Sequence, residues 1–134
     1  MRGLDTNIII RYLTRDDEAK AGRCPELLRR AERGEEELFL PEAILTEAVY
    51  VLSSPRLYNL PRGRVRDLLA AVVSLRGVRM PDKAVCLEAL ELYGESNLDF
   101  EDALLVTHLR AQGVGALYSY DRHFDHSELE RLEP

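Results

Sequence analysis

Cysteine is nearly absent. The two that occur in 134 residues, Cys24 and Cys86, lie far apart and outside any CxxC or Cys/His ligand spacing, which argues against a disulfide framework or a thiolate zinc site and predicts two buried, chemically inert thiols in a reducing compartment. No apolar run approaches the roughly 18 residues that span a bilayer, and no basic segment followed by an apolar stretch opens the chain, so a cytoplasmic protein without a membrane partner is expected. Repeats, low-complexity tracts and linkers are missing too, which leaves one domain over residues 1–134, long enough to bury roughly two thirds of its unfolded surface. Lysine is scarce: sixteen of the eighteen cations are arginine, and the net charge is −6. That balance opposes bulk attraction of a polyanion, although arginine forks phosphate where lysine offers only a point charge, and a GC-rich genome alone also raises arginine use.

What is present is acid in particular places. In Leu98-Asp99-Phe100-Glu101-Asp102-Ala103-Leu104, carboxylates crowd the start of an apolar helix expected over Leu98 to Gln112. Asp102, Leu105, Val106 and Leu109 fall at i, i+3, i+4 and i+7, so Asp102 is expected to head an apolar stripe and point toward the core. A carboxylate there needs a partner or a cation, or else its pKa rises. Asp99 and Glu101 have the plainer explanation of capping free N–H groups and favouring the helix dipole.

The chain alternates short strands with helices. Met1 to Leu4 reads as a strand, and Asp5-Thr6-Asn7 precedes three isoleucines, which puts Asp5 at a strand-to-helix turn where an N-cap is the ordinary explanation. Asp16 to Arg33 reads as helix, with Asp16, Asp17 and Glu18 in its first turn, a kink or restart at Pro25 and a stop at Gly34; the Glu35-Glu36-Glu37 run reads as a solvated turn. Leu38 to Leu40 is a strand ended by Pro41, and Glu42 to Ser54 a helix in which Glu47 has Ala43, Ile44, Tyr50 and Val51 for neighbours; it either lies on the apolar face or borders it. Ser53 to Arg66 reads as a basic loop, with Arg56, Arg62, Arg64, Arg66 and Tyr58. Such a run is a solvated face in most proteins, yet cations interleaved with an aromatic also suit single-stranded nucleic acid. Helices over Val65 to Leu75 and Asp82 to Tyr93 flank a strand at Val78 to Met80, and Val114 to Tyr120 is a strand that delivers Asp121.

This order predicts an α/β domain with a short central parallel sheet flanked by helices on both faces, whose ligands sit outside the C-terminal strand ends. Asp5 and Asp121 stand there, and Glu47 and Asp102 lie near enough to their helix starts to face the same crevice. Four carboxylates converging on one rim call for a cation, and all-oxygen ligands suit a hard one.

These segments resemble a known family. Leu4-Asp5-Thr6-Asn7 with its isoleucines, Asp16 to Gly34, Pro41 to Leu52 with Thr46-Glu47, Leu98 to Leu104, and Ser119-Tyr120-Asp121-Arg122-His123-Phe124 are similar, in order and spacing, to the PIN-domain proteins of the VapC toxin type. The resemblance implies a single PIN-like domain and a Mg²⁺- or Mn²⁺-dependent endoribonuclease acting on single-stranded RNA. Its acids would be Asp5, Glu47, Asp102 and Asp121, with Thr6, Asn7 and Ser119 as supporting groups and Asp99 as a possible fifth acid. Ser119 departs from the family's usual threonine, keeping the hydroxyl and losing a methyl. A homodimer, a cognate antitoxin that blocks the acidic pocket, and products with 5′-phosphate and 3′-hydroxyl ends are also implied. Asp5, Asp102 and Asp121 are then the expected metal ligands, with Glu47 holding a water or acting as base.

The main rival is a catalytically silent PIN-like scaffold that only binds RNA or protein. An aspartyl phosphatase would want an acid where Asn7 stands, a phosphate-accepting receiver domain would want a lysine later than Lys83, and His123 with His126 lacks the further soft ligand a zinc site needs.

Overall fold

A computed structural model of the protein describes residues 1–14 and 22–134. Strands β1 (Arg2–Gly3), β2 (Leu38–Phe39) and β3 (Val78–Arg79) form one parallel ladder in that order; β4 (Ala116–Tyr118) and β5 (Glu130–Leu132) form a second. The parallel α/β alternation is as expected. The strands, however, are two or three residues long, and among the described residues they hydrogen-bond as two patches rather than one sheet. So few ladder bonds cannot hold such a sheet alone, and its stability rests on the helices packed against it.

Those helices are α1 (Thr6–Thr14), α2 (Arg23–Glu32), α3 (Glu42–Ser53), α4 (Arg62–Val73), α5 (Lys83–Glu95) and α6 (Phe100–Ala111), with a 3₁₀ turn at Arg122–His126. Their boundaries follow local chemistry: α3 and α4 start directly after Pro41 and Pro61, whose extended backbone cannot continue a preceding helix, and α6 starts after Asp99, whose carboxylate accepts the Asp102 N–H at 2.9 Å. Pro25 sits in the first turn of α2, where its missing N–H costs nothing; the acids expected to open that helix, Asp16, Asp17 and Glu18, lie outside the described residues. The main core joins Ile9 of α1, Leu38 and Leu40, Leu45 and Leu52 of α3, Leu69 and Val73 of α4, and Leu90 and Tyr93 of α5, down to Phe100 and Leu104 of α6. A smaller core of Leu98, Val106, Phe124 and Leu129 anchors the β4–β5 patch to α6.

Of three further expectations, two hold and one needs correction. The run Glu35-Glu36-Glu37 is the turn expected, with Glu35 and Glu37 exposed, and each acid also pairs with arginine: Glu35 with Arg33, Glu36 with Arg2 and Arg30, and Glu37 with Arg79. Among the described residues eight arginines in all are engaged in ion pairs within the fold. The basic segment is a loop only over residues 54–61, since α4 begins at Arg62 and carries Arg64 and Arg66. Cys86 and Cys24 are both free and buried, as expected; burial and the neighbouring Glu42 and Asp82 push the Cys86 thiol up to about 12, so it stays protonated and unreactive at neutral pH. No helix among the described residues is long and apolar enough to cross a membrane.

Candidate active site

Asp121 is the most tightly fixed of the acids. It follows β4 at the head of the 3₁₀ turn, and the Ser119 hydroxyl accepts its backbone N–H at 3.0 Å, the supporting role expected of that side chain. Its own Oδ1 accepts the His123 N–H at 2.9 Å and lies 2.7 Å from His123 Nδ1. The backbone and side chain of His123 hold the Asp121 carboxyl below the usual range, so it is ionised well into acid pH. Strand β5, unforeseen from the sequence, braces this turn: the Ser119 N–H donates to Leu132 O at 2.9 Å, and Arg131 donates to Ser119 O at 3.0 Å.

Asp102 is half-buried rather than core-facing. The inward residues of α6 are Phe100, Ala103, Leu104, Val106 and Thr107, whereas Leu105 of the expected stripe is 38% exposed. The helix is therefore rotated so that Asp102 lies at the edge of its buried face. Burial first, then the like charges of Asp99, Asp121 and Glu101, push its carboxyl upward. Asp99 caps α6 as the plainer explanation held, and it also faces the same space.

Asp99, Asp102 and Asp121 line one cavity of about 260 Å³ together with Arg62, Asn97, Leu98 and His123. The role of Arg62 was missed. Its guanidinium donates to the carbonyls of Tyr93, Asn97 and Leu98 and stacks 4.5 Å above the Tyr93 ring, so it clamps the turn between α5 and α6 that delivers Asp99. Contacts spanning 31–36 residues leave no local sequence signal.

Asp5 and Glu47 form a second group. The Thr6 N–H donates to Asp5 Oδ1 at 2.8 Å, and the buried Thr6 hydroxyl donates to Glu47 Oε2, also at 2.8 Å. Thr6 therefore connects two acids that are 42 positions apart in the chain. Glu47 is exposed and borders the inward stripe of Leu45, Ala48, Val49 and Leu52. Neither acid lines the Asp102 cavity, and Asn7, exposed in the first turn of α1, does not either. Helix α3 packs on both α1 and α6, so the element carrying Glu47 joins the two groups. Of the remaining basic residues, Arg66 pairs with Asp67, whereas Arg56 and Arg64 are exposed and make no ion pair among the described residues. His123 and His126 line a neighbouring cavity with Leu98 and Ser96.

The donor set suits a hard divalent cation. Among the described residues no group of three acids, histidines or cysteines is placed to hold a metal ion, and Mg²⁺ does not require one, being held through one or two carboxylates while keeping several waters. The raised Asp102 carboxyl, crowded by three other acids, is the kind of unrelieved negative charge that such an ion neutralises.

Two comparisons with known proteins bear on the identity of the fold. The model of the PIN domain family matches residues 4–128. The chain is also similar to a VapC ribonuclease of Aquifex aeolicus (strain VF5), at 23% identity over 134 residues, covering 100% of this chain and 97% of that protein.

Proposed function

The chain belongs to the PIN domain family, and from that premise we propose that it is a Mg²⁺- or Mn²⁺-dependent endoribonuclease of single-stranded RNA, the toxin of a toxin–antitoxin pair. The observation that carries this reading is the cavity in which Asp99, Asp102 and Asp121 meet at the ends of two elements distant in sequence. The full-length similarity to a VapC ribonuclease supports the choice of RNA.

In this reading Asp102 and Asp121 would hold the cation from their cavity, while Asp5 and Glu47, the pair that Thr6 connects outside it, would act through waters of that ion, Glu47 positioning one or accepting its proton. When bound, the cation neutralises the phosphodiester and lowers the pKa of water. The protein's part is placement. Ser119 and His123 fix the Asp121 carboxylate in one orientation, the Arg62 clamp fixes the turn before Asp99, and Thr6 fixes Glu47 relative to Asp5. Such preorganisation means that little reorganisation remains when charge develops on the phosphoryl oxygens. Exposed Arg56 and Arg64 supply phosphate contacts outside the site. The reading also takes the protein to be a cytoplasmic homodimer whose antitoxin covers the acidic cavity.

The test is to incubate the purified protein with a mixed-sequence single-stranded RNA, with Mg²⁺ or with EDTA, and to sequence the ends formed. Internal cuts bearing 5′-phosphate and 3′-hydroxyl ends, found only with the metal, are expected. RNA that is bound and left intact in Mg²⁺ and in Mn²⁺ would make the protein a silent scaffold.

A further inference from the structure

Beside the acid cavity lies a second one, of about 250 Å³, lined on one wall by Thr46, Tyr50 and Ser53 of α3. Arg62 and Asp99 border both cavities, so the two are neighbours across a shared wall. Tyr50, a residue 67% exposed, stands on the outer side of α3, with buried Val49 beside it on the cavity wall. We propose that this second cavity is a nucleobase subsite, in which Tyr50 stacks on the base of the nucleotide next to the scissile phosphate. The proposal rests on the ribonuclease reading and adds to it the group that holds the substrate strand.

Three observations lead there. The first is charge: a protein of net charge −6, with a rim of carboxylates at its site, gains nothing from bulk attraction of a polyanion, so beside the phosphate contacts of Arg56 and Arg64 the strand needs a contact at the site that does not depend on charge. Stacking of a base on an aromatic ring is such a contact and tolerates any base. The second is size, because the cavity lies below the roughly 300 Å³ at which sites for drug-sized ligands begin, which suits one planar ring system rather than a longer segment. The third is continuity. A base whose phosphate occupies the acid cavity is tethered to it by its own sugar, and the neighbouring cavity is the space within reach of that tether. The Arg62 clamp keeps the shared wall rigid, with its guanidinium hydrogen-bonded to backbone carbonyls on the far side.

The experiment uses a twelve-nucleotide single-stranded RNA whose Mg²⁺-dependent cleavage site has first been mapped with the wild-type protein. Single abasic nucleotides are then placed on either side of that bond, and kcat/KM is measured for wild type, Tyr50→Phe and Tyr50→Ala. The expected result has four parts. An abasic nucleotide on one side lowers wild-type kcat/KM by about tenfold or more, Tyr50→Ala lowers it similarly on intact RNA, the two losses do not add, and Tyr50→Phe resembles wild type. Equal abasic losses in wild type and Tyr50→Ala, or unimpaired cleavage of intact RNA by Tyr50→Ala, would overturn the subsite while leaving the ribonuclease reading intact. A wild-type protein that cuts no RNA at all would overturn both. A Tyr50→Ala protein that sediments as a smaller species, with abasic losses unchanged, would make this face a protein contact instead.

Discussion

Asp102→Asn and Asp121→Asn should each lower RNA cleavage by at least about a thousandfold while leaving the far-UV circular dichroism spectrum unchanged. The change removes one charge without altering size, and a preorganised charged group aimed at a reacting centre is worth about a hundred- to a thousandfold even where it is only a hydrogen-bond donor. The two residues should differ in pH dependence. The Asp102 carboxyl is raised by burial and by neighbouring acids, so wild-type activity rises with pH as Asp102 ionises above the ordinary aspartate range. Asp121, lowered by His123, is already ionised there and does not shape that limb of the profile. Kinetics of the two variants and the wild type from pH 4 to 8 measure both points. Retained activity in either variant removes that residue from the site.

Gly77→Ala is the substitution with the largest expected effect on the fold. A Cβ at Gly77 would lie 2.1 Å from Glu36 O and 2.7 Å from Ala31 O, both backbone atoms that cannot swing aside. The same glycine donates its N–H to Ala31 O and accepts the Leu38 N–H, each at 2.8 Å, so moving it apart breaks the junction between α2, β2 and β3. Overpacking costs about 1–3 kcal/mol, and each buried backbone bond lost costs about as much again. A loss of roughly 3–5 kcal/mol out of about 5–15 lowers the melting temperature by roughly 10–20 °C. Thermal denaturation of Gly77→Ala beside Gly3→Ala checks this, since a Cβ at Gly3 meets nothing within 4 Å. Equal melting temperatures for the two variants would contradict the account.

The helices and their limits were legible where one residue decides the outcome. Pro41 and Asp99 mark the starts of α3 and α6 because ring geometry and a short carboxylate act within one turn of chain. The start of α4 was not legible: Arg62, Gly63 and Arg64 carry no apolar period, and helix is imposed there by Val65, Leu69 and Val72 further along and by the carbonyls that hold Arg62. Strand β5 escaped because three residues with two charged side chains show no strand pattern, and they are ordered by pairing with β4 and by the bond from Arg131 to Asp125 of the 3₁₀ turn. In the site, each acid could be singled out by its place in the chain, but the grouping could not. That Thr6 connects Asp5 with Glu47, and that Arg62 clamps the turn before Asp99, are contacts made by the tertiary fold.

If the Asp102 cavity receives a divalent cation, the stability of the protein reads this without RNA. A carboxyl raised in the folded state contributes stability below its unfolded pKa and loses it as pH rises through the folded value, so at neutral pH ionised Asp102 weakens the metal-free fold. The decisive measurement is a pair of melting curves, with EDTA and with excess Mg²⁺ at fixed ionic strength and pH 7.5, for the wild type and Asp102→Asn. Without metal the variant should melt above the wild type, with the gap closing below about pH 4, where both side chains are neutral. With Mg²⁺ at a hundred times its Kd the wild type should gain about 2.7 kcal/mol, or roughly 10 °C, and the variant much less. A variant that melts below the wild type in EDTA, together with equal Mg²⁺ shifts in the two proteins, would make Asp102 a structural carboxylate and contradict the claim.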